Sequence, residues 1–133
     1  MRTGLMAGSV ATTSILCSLP AGADVPALYT AAQADEGGYI FTHRCAECHG
    51  SQLEGLSAPP LKGPDFRRPG RVRDAQSLLT FISLYMPRGK PASLTPQEYS
   101  DIVAFILQQN GYPAGKSELS ADTPGLKDLD FSQ

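Results

Sequence analysis

The chain has 133 residues, with 11 Lys and Arg against 13 Asp and Glu, 41% hydrophobic residues, 11 Pro and 13 Gly. That length holds one hydrophobic core and is too short for two. The near-balanced charge argues against a basic nucleic-acid binder, and the apolar content argues against intrinsic disorder without approaching that of a membrane-spanning bundle.

Residues 1–23 read as an export signal and are set apart from the fold. Arg2 precedes a weakly apolar stretch from Gly4 to Leu19, followed by Pro20 and the small residues Ala21-Gly22-Ala23, so cleavage is expected before Asp24. Ser9, Thr12, Thr13 and Ser14 dilute the stretch below the roughly 20 apolar residues of a spanning helix. An uncleaved anchor is the alternative. Cys17 follows the bulky Leu16, which disfavours lipid attachment there. Without residues 1–23 the chain keeps two cysteines, Cys45 and Cys48, and one methionine, Met86.

The first helix is expected from about Leu28 to Cys45, with Ala31, Ala32, Ala34, Gly37, Ile40 and Phe41 placed at three- and four-residue steps. Gly37-Gly38 weakens it intrinsically, so a second helix packed closely across Gly37 is expected to compensate. At its end stands Cys45-Ala46-Glu47-Cys48-His49. Two thiols three residues apart with an imidazole directly after them match the attachment site of a c-type haem, in which both sulfurs form thioethers and the histidine binds iron. Three other readings compete with it. A zinc site would need two more ligands where only His43 is on offer, a disulfide oxidoreductase would need alternating strands and helices, and a structural disulfide would need only export. His43 lies two residues before Cys45 and is expected on the surface or in the core, turned away from the distal side of the iron.

Pro59-Pro60, Gly63-Pro64 and Pro69-Gly70 then mark a long crossing with no strand or helix pattern. Such a loop is unusual in a compact domain unless a large ligand supplies the missing core. A second helix follows from Asp74 to Tyr85, with Asp74 as N-cap and Leu78, Leu79, Phe81, Ile82 and Tyr85 as its buried stripe. Met86 starts the loop beyond it, before Pro87 and Gly89. As the single thioether downstream of the haem motif, it is the candidate for the second axial position. The third helix opens on Thr95-Pro96-Gln97-Glu98, a capping box with proline at the first helical position, and is expected to stop near Asn110-Gly111 before Pro113. Residues 114–133 form an extension or tail carrying Leu119, Leu126, Leu129 and Phe131, which is expected to strap onto the domain, to contact a dehydrogenase subunit, or to stay a mobile tail.

From about Ala31 to Pro113 the chain resembles the class I monohaem cytochromes c. Gly37 and Phe41 stand eight and four residues before Cys45, as in the N-terminal helix of that family, and Ile102 and Phe105 resemble the crossing pair of its last helix. Pro59-Pro60-Leu61-Lys62-Gly63 is similar to its proline loop. The resemblance implies an all-α domain over residues 24–113, about three main helices around one covalent haem c, with the Pro59 carbonyl accepting from His49. The stretch from Leu94 to Gly115 is also similar to cytochrome modules that accompany bacterial quinoprotein (PQQ) dehydrogenases.

With His49 and Met86 both on iron no open coordination site is left, so the expected function is one-electron transfer in the periplasm rather than catalysis. The expected partners are redox proteins, among them a quinoprotein dehydrogenase and a terminal oxidase or another cytochrome. Neither nucleic acid nor a membrane span is expected. Arg67, Arg68, Arg71, Arg73, Arg88 and Lys90 are expected to border the haem edge, as a docking face for an acidic partner, as propionate partners, or simply as solvated loop. If Met86 were not on iron, the protein would instead be a haem enzyme or a gas-binding sensor.

Overall fold

A computed structural model describes residues 25–132 apart from Pro69 and Arg71. The expected export signal and the docking candidate Arg71 therefore lie outside the described residues. Four helices follow in order: α1 (Ala31–Arg44), α2 (Ala46–His49), α3 (Ala75–Tyr85) and α4 (Pro96–Gln109). Among the described residues, extended pairing is limited to an isolated bridge between Asp74 and Asp130, and the class is all-α.

Helix α1 begins three residues later than its periodicity predicts. The Thr30 side chain accepts from the Gln33 amide at 3.2 Å, which caps the helix there and leaves Leu28 and Tyr29 outside it, both buried. Helices α1 and α4 cross at Gly37, where a Cβ would overlap the carbonyl of Asp101. The helix-weakening residue is thus the one that lets two backbones meet. Helix α4 starts with the capping box of Thr95 and Glu98, and the hydrogen bonds from Thr95 hold the Glu98 carboxyl below the usual glutamate range. Helix α3 is capped in the same manner by Asp74 and Ser77.

The stripe of α3 needs one correction. Leu78, Leu79 and Ile82 are buried, but Tyr85 is 54% exposed. It is the last residue of the helix, and its ring lies outside the core against Phe81, with centroids 5.1 Å apart.

Residue Asn110, legible in the sequence only as a helix stop, is a buried bolt between α4 and the long crossing. Its Oδ1 accepts from the Gly63 amide at 3.0 Å, and its Nδ2 donates to the carbonyls of Leu61 and Ile106, both at 2.9 Å. Asn110→Ala leaves the Gly63 amide and the Leu61 carbonyl without these partners, while the Ile106 carbonyl keeps the backbone amide of residue 110, and is expected to cost about 2 to 3 kcal/mol, read from the urea midpoint of the haem-loaded protein.

Residues 114–132 pack onto the helices. Leu119, Leu126, Leu129 and Phe131 are all buried, so the segment contributes to the core. No helix among the described residues is long and apolar enough to cross a membrane.

Candidate haem site

The site is built outward from the one-turn helix α2. Its chain direction changes at Cys45, whose amide still bonds the Phe41 carbonyl at 2.8 Å, so the motif stays fixed to the end of α1. The carbonyls of Cys48 and His49 then find partners in the loop that follows. Leu56 and Ala58 both donate to Cys48 at 3.1 Å, and Gly55 donates to His49 at 2.7 Å. Gly55 has φ +80°, and a Cβ there would press on the Pro60 nitrogen and the Ala58 carbonyl. The loop consequently folds back beneath the motif and brings Pro59 to the imidazole.

His49 Nδ1 lies 2.7 Å from the Pro59 carbonyl oxygen. A carbonyl only accepts, so Nδ1 carries the proton and Nε2 keeps a free lone pair. Cys45 is half-buried and Cys48 exposed, and no disulfide joins them. Burial pushes the Cys45 thiol up to about 11, so before alkylation it is a neutral thiol at pH 7, unlike the low-pKa thiolate of a disulfide oxidoreductase.

Cys45, Cys48 and His49 line a cavity of about 890 Å³ whose other walls include Pro59 to Leu61, Phe66, Leu78, Phe81, Ile82, Met86 and the α4 side chains Tyr99, Ile102 and Ile106. Native domains hold few voids larger than a water molecule, so a space of this size with mostly apolar walls is built for a large flat apolar group. The donor set suits haem: two thiols, an imidazole with one nitrogen committed to a carbonyl, and a thioether. Met86 is the C-cap of α3, and its amide bonds Ile82 at 3.0 Å. The Tyr99 hydroxyl, which nothing in the sequence singles out beyond a core position, donates to the Met86 carbonyl at 2.7 Å.

The cationic residues divide. Arg68 and Arg88 line the cavity, whereas Arg67, Arg73 and Lys90 do not. Arg67 reaches the Asn110 carbonyl at 3.4 Å, Arg68 pairs with Asp65 at 3.0 Å, and Arg73 borders an open groove beside α3 together with Lys127. His43 is exposed, its ring tilted against that of Tyr39 with centroids 4.4 Å apart. Among the described residues, no three His, Cys, Asp or Glu side chains converge on a common metal position.

A crossed helix pair, a haem-attachment motif and an apolar cavity define a monohaem cytochrome c. The family model described as cytochrome c oxidase, cbb3-type, subunit III matches residues 32–106, and the chain belongs to that family. Its cofactor is covalently bound haem c. A cytochrome c-553-like protein of Synechocystis sp. is 33% identical over 73 residues, which are 55% of this chain and 66% of that relative's length, slightly under two thirds. The crystal structure of the sulfane dehydrogenase SoxCD from Paracoccus pantotrophus contains a chain of the same fold, with a TM-score of 0.57 and 22% identity, covering 85% of this chain and 68% of that one.

Proposed function

We propose that the protein is an exported, periplasmic one-electron carrier, in which Cys45 and Cys48 would hold the haem as thioethers and His49 and Met86 would bind its iron. The observation that carries this reading is the 2.7 Å hydrogen bond from His49 Nδ1 to Pro59, which leaves Nε2 as the free donor beside a cavity that Met86 also lines. Bound haem c supplies one-electron chemistry between ferrous and ferric iron. The chain's own residues set the conditions. Pro59 holds the imidazole in one tautomer, Tyr99 and Ile82 fix the backbone of Met86, and the apolar walls disfavour the extra charge of the ferric state.

With His49 and Met86 both on iron, no position would be left for oxygen, peroxide or substrate, which favours a carrier over an enzyme or gas sensor. Its donor is a dehydrogenase, of the quinoprotein type that the resemblance of residues 94–115 implies, and its acceptor a terminal oxidase or second cytochrome. Arg88 beside the cavity favours an acidic partner, Arg68 there being paired with Asp65. Export follows from residues 1–23, and the cytochrome c domain spans residues 24–113.

Carbon monoxide added to the reduced haem-loaded protein tests the ligation. Slow and incomplete binding is expected, because Met86 must leave first. Fast, complete binding would overturn the carrier reading in favour of an open-site haem protein.

A further inference from the structure

We propose that residues 114–132 are a tether that holds α3 against the haem cavity and, through α3, positions Met86; the second part rests on the ligation proposed above. Helix α3 packs on no helix among the described ones except α4, whereas α1 and α4 grip each other directly. Yet α3 supplies Leu78, Phe81 and Ile82 to the cavity wall and ends at Met86. Something else must hold its first turn.

The missing support is the segment beyond Pro113. The amides of Ala75 and Gln76, which open α3 and have no partner within it, donate to the carbonyls of Leu129 and Leu126, both at 3.2 Å. The Phe131 amide donates to the Arg73 carbonyl at 2.8 Å, and Asp130 bridges Asp74. At its other end the segment is fixed to α1 and the turn before it. Gly115 donates to the Tyr29 carbonyl at 2.6 Å. The buried Gln33 side chain donates to the Leu119 carbonyl at 2.8 Å and accepts from its amide at 2.7 Å. The segment thus joins α1 to α3, which do not pack on each other.

Phe131 is the keystone of the join. It is 1% exposed, and its ring lies 4.9 Å from Phe66, a wall of the haem cavity, and 5.8 Å from Tyr112. Without the segment, α3 is held only by its packing on α4 and by the Tyr99 hydrogen bond to the Met86 carbonyl, so loosening its first turn lowers the free energy for the helix to open.

The test compares haem-loaded wild type with Phe131→Ala, Phe131→Leu and a control, Val103→Ala, which cuts buried volume from α4 without lining the cavity. In Phe131→Ala the α3 amides of Leu78, Leu79 and Ile82 are expected to exchange hydrogen about tenfold faster or more, with α1 and α4 near wild type. Carbon monoxide binding should accelerate in step, the methionine-to-iron charge-transfer band should weaken, and Phe131→Leu should restore most of both. Unchanged α3 exchange, or loss of protection spread over all helices as in Val103→Ala, overturns the tether. If Phe131→Ala takes up no haem, Gln33→Ala, which releases the other anchor on α1, is read in its place by the exchange of α3 against that of α4 alone. A wild type that lacks the band and binds carbon monoxide at once sinks the Met86 ligation instead, and the exchange data still decide the tether.

Discussion

Met86→Ala is expected to convert a closed haem into an open one. With no other methionine beyond residue 6, the variant has no thioether to substitute at the vacated position. Ferric protein should lose the methionine-to-iron charge-transfer band, and ferrous protein should bind carbon monoxide quickly and completely. The reduction potential should fall by a sizeable share of the roughly 0.8 V over which axial ligands tune haem iron, because a thioether stabilises the ferrous state. Haem attachment should survive, since Cys45 and Cys48 lie in α2 and its preceding residue, away from α3. Wild-type spectra in both oxidation states, set beside those of the variant, decide the point. A potential and carbon monoxide rate unchanged by the substitution would show that Met86 only fills space.

Gly37→Ala is expected to be the most destabilising single-methyl addition in the described chain. The new Cβ would overlap the carbonyl carbon and oxygen of Asp101, and both belong to the backbone of a packed helix that cannot rotate aside. Parting α1 from α4 shifts Ile102 and Ile106, which line the haem cavity. A cost of roughly 3 kcal/mol or more follows, at the upper end of overpacking. Gly38→Ala is the control. Its Cβ would meet only the Phe105 ring at 3.1 Å, and the half-buried ring can turn, while alanine gains about 0.5 to 1 kcal/mol over glycine within a helix. Urea unfolding of both haem-loaded variants should therefore separate neighbouring glycines by several kcal/mol. Equal midpoints would refute close backbone approach as the reason for Gly37.

The same pair shows what can be read without coordinates. A helix that carries Gly37-Gly38 against its own propensity signals a crossing, and the capping residues Asp74 and Thr95 announce their helices because a cap and its partner lie three residues apart. The candidate attachment site is legible for the same reason: Cys45, Cys48 and His49 stand in one run whose spacing is their chemistry. Start positions were less exact. Thr30 ends the apolar run of α1 by capping it, and Tyr85 keeps the α3 period while facing solvent, because the helix outruns the core it packs on.

Signals confined to a few successive residues were thus set by the sequence by itself: an all-α cytochrome c, its haem motif, its capped helices and the glycine at their crossing. Only the tertiary structure decided the rest. Tyr99 reaches the Met86 carbonyl, Asn110 bolts the 61–63 loop to α4, and Gln33 grips Leu119 across 86 residues of chain. Residues 114–132 carry no helical or strand period that would reveal their burial. These contacts satisfy polar groups brought together by chain closure, and closure depends on the packing of the whole molecule, so no local pattern records them.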